Sequence, residues 1–175
     1  MKKAKILRRL SECVMPHRIS RVFMENEGDW NIHLFPLKVS EDFLLGAIED
    51  DFQLDGFRIC PVSRIGKVKK CRDKCMDIEA GEGIVDQLYT PNVSISGWRQ
   101  IFRSLKNMNR YVILDTRCGT YIGAITRIGK KSVTVKYFDA DGVWFDPVKI
   151  RFKDIDAVDF GTRYVDVFTK YVTRI

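Results

Sequence analysis

Tyr111-Val112-Ile113-Leu114, then Arg117-Cys118-Gly119, then Tyr121-Ile122-Gly123-Ala124-Ile125 read as two short apolar strands joined by a glycine turn. Working outward, the same texture continues over about 120–128, 132–139, 143–152 and 157–160. Turns are expected at Gly129-Lys130-Lys131 and Asp139-Ala140-Asp141-Gly142, and Lys153-Asp154-Ile155 reads as a short helical turn before the last strand. A helix is expected over about 96–107, with Trp98, Ile101, Phe102 and Leu105 on one face. Residues 161–175, with Tyr164, Val165, Val167, Phe168 and Tyr171, read as one more strand or a docking tail.

The first half carries the same order. At an ungapped offset of 90, Val22-Phe23-Met24 falls on Val112-Ile113-Leu114, Phe43 and Leu45 on Val133 and Val135, and Ile65 and Val68 on Ile155 and Val158. Ile32 falls on Ile122, and Cys60 and Val62 on Ile150 and Phe152. Side chains alternate faces along a strand, so preserved spacing of apolar positions preserves a fold even when the letters change. Strands are expected over about 18–25, 30–38, 42–48, 52–60 and 65–69, with turns at Glu27-Gly28-Asp29 and Glu49-Asp50-Asp51. A helix over 3–14, carrying Ile6, Leu7, Leu10 and Val14 and ended by Pro16, precedes them. Residues 71–95 lose periodicity and read as a connector. The expected organisation is a helix-plus-barrel unit at 1–75, a connector at 76–95 and a second unit at 96–175.

The fold class is thus mainly β with short helices. A leading helix, a bent five-strand meander and a tight turn into the last strand resemble the Sm-like or SH3-like small barrel. The second unit resembles the Sm family in Tyr111-Val112-Ile113-Leu114, Cys118-Gly119 and Tyr121-Ile122-Gly123-Ala124-Ile125, where a glycine suits a strand bending at a barrel corner. The resemblance implies two tandem five-stranded barrels, each preceded by a helix. It does not extend to the family's base-reading residues. Ile128 and Ser132 stand where the loop after the second strand would carry its Asp and Asn, and Phe152-Lys153-Asp154-Ile155 replaces the Ile-Arg-Gly turn.

Composition bounds the function. The 175 residues are 30% charged and 45% hydrophobic, ordinary values for a globular chain. No apolar run approaches the roughly 18 residues that cross a bilayer, and the basic N-terminus lacks a signal-like apolar core, so a cytoplasmic protein without a membrane partner is expected. Five cysteines at irregular spacing argue against a disulfide framework. A net charge of +7 suits an anionic partner. Its cations cluster at Lys2–Arg9, at Arg64–Lys74 and at Arg99, Arg103, Lys106 and Arg110.

No catalytic constellation stands out. Cys71 and Cys75 are four apart, but no second ligand pair completes a zinc site and the spacing is not a redox C-x-x-C. Arg72 and Lys74 beside them are of the kind that lowers a thiol pKa. His17 and His33 have no nucleophile at motif spacing, and no G-x-S-x-G is present. Asp139-Ala140-Asp141-Gly142 lacks the glutamate that closes a calcium loop and reads as a hairpin turn. Gly81-Glu82-Gly83 lacks the context of a phosphate loop.

A non-enzymatic binding protein without cofactor or metal is therefore expected. Its partner would be RNA or another nucleic acid, met by Lys67, Lys69, Lys70, Arg72, Arg99, Arg103, Lys130 and Lys131. Trp30, Tyr137, Trp144, Phe145 and Tyr164 are stacking candidates, against the alternative that they fill small cores. The alternative function is a protein-interaction or self-assembly module using exposed barrel edges.

Overall fold

Ile6, Leu10 and Cys13 recur at helical spacing, and burying them forms the first helix, α1 (Lys2–Val14), with its lysines and Arg8 turned to solvent. The structure, a computed structural model, describes residues 2–25, 30–108 and 111–172; the turn expected at 27–29 and Arg110 lie outside them. The chain divides into two units, Met1–Pro91 and Asn92–Ile175.

In the first unit, α1 is followed by β1 (Ser20–Met24), β2 (Ile32–Val39), β3 (Phe43–Asp50), β4 (Gln53–Pro61), a 3-10 turn (Val62–Arg64) and β5 (Ile65–Lys70). The strands pair antiparallel in the order β5-β1-β2-β3-β4. Helix α1 lies on β2 and β5. Arg9 fastens it, its Nη1 donating to the Val68 carbonyl at 2.7 Å. The core gathers Leu10, Ile19, Leu34, Phe35, Leu44, Leu45, Ile59 and Ile65, all at 1% exposure or less. After β5 come α2 (Asp73–Gly81) and a 3-10 turn at Val85–Gln87, so part of the expected connector is helical.

The second unit repeats this: α3 (Trp98–Asn107), β6 (Tyr111–Thr116), β7 (Gly119–Ile128), β8 (Ser132–Phe138), β9 (Val148–Arg151), a 3-10 turn (Phe152–Asp154), β10 (Ile155–Phe160) and α4 (Arg163–Phe168). Its strand order is β10-β6-β7-β8-β9. Neither unit's described pairings join its fourth strand to its fifth, so each unit's strands form an open antiparallel array and not the expected closed barrel, and the fold is mainly β with four short helices among the described residues. Two expectations change. Residues 161–175 hold a helix rather than a strand, because the Thr162 hydroxyl accepts the Val165 amide at 3.4 Å as an N-cap and the buried Val165 and Val172 recur at helical spacing. The ninth strand begins only at Val148, since Pro147 cannot donate to the ladder.

Hydrogen-bond register shows how deep the repeat goes. The 3-10 turns at Val62–Arg64 and Phe152–Asp154, the last strands β5 and β10, and the starts of α2 and α4 are separated by 90 residues. Gly66 is bulged out between β1 and β5, and Asp156, 90 residues later, between β6 and β10. The other strands slip. Val22 pairs with Val68 while Leu114 pairs with Val158, so β6 matches β1 at 92 (114 − 22). Leu37 is bulged from β2 and Thr126 from β7, an offset of 89 (126 − 37). By register, His33 therefore corresponds to Ile122 and Glu49 to Phe138, and the one-residue slip exchanges which letters face which side.

Candidate anion-binding interface

The hairpin between β7 and β8 turns through Gly129-Lys130-Lys131-Ser132, closed by the Gly129 amide donating to the Ser132 carbonyl at 2.8 Å. The Phe152 amide donates to the Lys131 carbonyl at 3.0 Å, tying this tip to the 3-10 turn. Register places Arg127 on β7 opposite Thr134 on β8, and Thr134 opposite Lys149 on β9. Directly opposed residues of an antiparallel pair stand on the same face, with Cβ atoms about 5 Å apart. Arg127, Gly129, Lys130, Lys131, Ser132, Thr134 and Lys149 thereby line one cleft of about 450 Å³. All four cations are exposed, and no carboxylate among the described residues lines the cleft. Four like charges around one cleft repel one another across water, an arrangement that an anion would relieve.

Two other cations near this cleft are engaged within the fold. Arg151 Nε donates to Asp154 Oδ2 at 2.6 Å, a hydrogen bond that holds the Asp154 carboxyl below its ordinary pKa. Lys106 Nζ donates to the Thr126 carbonyl at 2.6 Å.

The other expected binding residues separate into distinct settings. Lys67 and Lys69 on β5 both stand over the Phe23 ring, at 5.5 and 5.2 Å, and Arg21 lies opposite Lys69. Lys70 turns to α1 and meets Glu12 at 2.5 Å, which lowers the Glu12 pKa. Arg72 is exposed at the start of α2, and Arg99 and Arg103 are exposed one turn apart on α3. Of the four cations lining this cleft, the sequence reading named Lys130 and Lys131 and did not name Arg127 and Lys149. They lie 22 residues apart, and only strand register brings them together.

The aromatics stand elsewhere. Tyr137 stacks on Phe145 at 5.1 Å, with Tyr121 edge-on at 5.3 Å, and Phe145 is 41% exposed. Tyr137 lies three residues from Thr134 along β8, hence on the opposite face of that strand. Trp144 has Lys136 over its ring at 5.6 Å, Tyr164 stacks on Phe168 at 5.3 Å, and Trp30 is 52% exposed in the first unit.

The cysteine pair behaves differently from expectation. None of the five cysteines is in a disulfide. Burial and then the neighbouring Cys75 push the Cys71 thiol up to about 12, so burial outweighs the basic neighbours in sequence. Among the described residues no three His, Cys, Asp or Glu side chains gather to hold a metal. Asp139 Oδ1 accepts the Asp141 and Val143 amides, each at 3.0 Å, so this carboxylate shapes its turn. No described helix is long and apolar enough to cross a membrane.

No protein-family model matches this chain, and no curated protein or solved structure matches it significantly.

Proposed function

We propose that the chain is a non-enzymatic nucleic-acid-binding protein, built on two tandem Sm-like or SH3-like units, that holds the phosphate backbone in the basic cleft of its second unit. The observation that carries this reading is the convergence of Arg127, Lys130, Lys131 and Lys149 on one cleft with no lining carboxylate among the described residues. The family likeness is supported by the strand order β5-β1-β2-β3-β4, repeated as β10-β6-β7-β8-β9, and by the 3-10 turn between the fourth and fifth strands of each unit. Single-stranded RNA is the favoured ligand, its exposed phosphates meeting a narrow row of cations. With the Tyr137–Phe145 stack on the other face of β8, binding rests on charge rather than base reading and is tolerant of sequence.

The competing reading, assembly through strand edges, meets an obstacle at β5. Lys67, Lys69 and Lys70 sit on that terminal strand, the device by which edges are kept from pairing. The deciding experiment is a filter-binding titration of the full chain against single-stranded RNA between about 50 and 200 mM salt. Affinity falling steeply with salt supports the proposal. Absence of binding at every salt concentration overturns it.

A further inference from the structure

The first unit holds a cleft of the opposite character. A cavity of about 600 Å³ is lined by Glu49, Asp50, Asp51, Asp55 and Glu79, with His33 the one basic side chain among the described lining residues and Trp30 and Phe52 among its walls. Trp30 and Phe52 are 52% and 48% exposed. Glu49 is satisfied: its Oε2 meets His33 Nδ1 at 3.3 Å and its Oε1 accepts the Phe52 amide at 2.9 Å. Glu79 is not. It is 1% exposed, and its Oε2 is buried without a hydrogen-bond partner among the described residues. A buried, unpartnered carboxylate oxygen costs free energy that an apolar residue would avoid.

Helix α2 makes this cost conspicuous. It buries Glu79 and leaves Ile78 42% exposed, the reverse of what stability favours. The second unit shows the stable solution at the same place. Phe138, the register counterpart of Glu49, stacks on Phe168 of α4 at 5.3 Å and fills the space between third strand and trailing helix. Thr169, 90 residues after Glu79, spends its hydroxyl on the Val165 carbonyl at 2.7 Å. One copy of the fold is plugged with aromatic rings. The other keeps a hollow with a carboxylate waiting in it.

We infer that this cleft of the first unit binds an organic cation, an alkylammonium or guanidinium group, with Glu79 as the buried anchor and Trp30 and Phe52 flanking the entrance. The cleft volume falls in the range of small-molecule sites. The carboxylates are spread rather than gathered at metal-ligand distance, which suits a large delocalised or hydrogen-bonding cation over a metal ion. Aromatic faces beside carboxylates favour the same ligand class. Trp30 already has the Arg58 guanidinium 5.9 Å from its ring, so the fold itself shows that ring meeting such a group.

The test is calorimetric titration of the full chain, at low salt and without nucleic acid, with Nα-acetyl-arginine amide, Nα-acetyl-lysine amide and spermidine. Nα-acetyl-citrulline amide serves as the uncharged control. Saturable binding of the cations and none of citrulline is expected, and the tightest probe distinguishes a peptide side chain from a free polyamine. Glu79→Gln weakens binding by about tenfold, as removal of one charged hydrogen-bond partner does. Asp50→Asn with Asp51→Asn, both exposed and safe for folding, weakens it about threefold. The inference is overturned if no cation saturates, if citrulline binds equally, or if the folded variants keep wild-type affinity.

Discussion

Gly123 on β7 runs so close to β8 that a Cβ placed on it would lie 2.0 Å from the Lys136 carbonyl oxygen and 2.7 Å from the Tyr137 Cα. The first unit solves the same strand crossing from the other side: a Cβ on Gly46 of β3 would lie 2.6 Å from Leu34 Cδ1 and 2.9 Å from the Phe35 carbonyl oxygen. By register Gly123 corresponds to Leu34, so each unit places one glycine at the crossing but on opposite partners. Gly123→Ala must push two backbones apart and is expected to cost about 2–4 kcal/mol in denaturant unfolding. Gly81→Ala, in open space at the end of α2, is expected to gain about 0.5–1 kcal/mol. Equal effects would show that the crossing relaxes freely.

The basic cleft predicts a salt signature residue by residue. Arg127→Ala, Lys131→Ala and Lys149→Ala should each lower the slope of log affinity against log salt by about 1 when RNA binding is titrated. Lys70→Ala removes a charge already paired with Glu12 and should leave the slope within a few tenths. A uniform change across all four variants would place the contact elsewhere.

Burial and then the Glu49 charge raise the Glu79 pKa above the ordinary carboxylate value. A carboxyl whose folded pKa exceeds its unfolded one contributes stability that is complete below the unfolded value and lost as pH rises through the folded value. Glu79→Gln resembles the protonated side chain at every pH. Its melting temperature should match wild type near pH 4 and exceed it by about 2–4 °C at pH 8. A gap independent of pH across a melting series would contradict this.

Thiol reactivity should be sharply graded. Cys118 is exposed, whereas Cys13, Cys60 and Cys71 are buried and Cys71 is also held protonated at neutral pH. Titration of the native chain with an aromatic disulfide reagent should consume Cys118 fastest, and the three buried thiols only on unfolding. Rapid modification of Cys71 in the native state would show that α2 opens.

Most strands were legible because a half-buried strand advertises itself by apolar spacing and glycine punctuation. The 3-10 turn before β10 was legible for the same reason. Helix α4 was not: Tyr164, Val165, Val167 and Phe168 are all strand formers, and a single capping hydroxyl at Thr162 tips the balance. Helix α2 hid itself by burying a glutamate and exposing an isoleucine. The half of the anion cleft formed by Lys130 and Lys131 could be read because they are neighbours in the chain. Arg127 and Lys149 could not, nor could the meeting of Glu49 with Glu79, because hydrogen-bond register and helix docking leave no local trace.

The amino-acid sequence by itself determined that this is a mainly β chain with an order of elements that occurs twice, since local periodicity and turn chemistry are properties of neighbouring residues. Tertiary structure alone decided that one copy is filled by Phe138 and Phe168 while the other keeps the Glu79 hollow. The reason is geometric. A slip of one or two residues in strand pairing leaves the apolar pattern almost unchanged and yet selects which side chains meet.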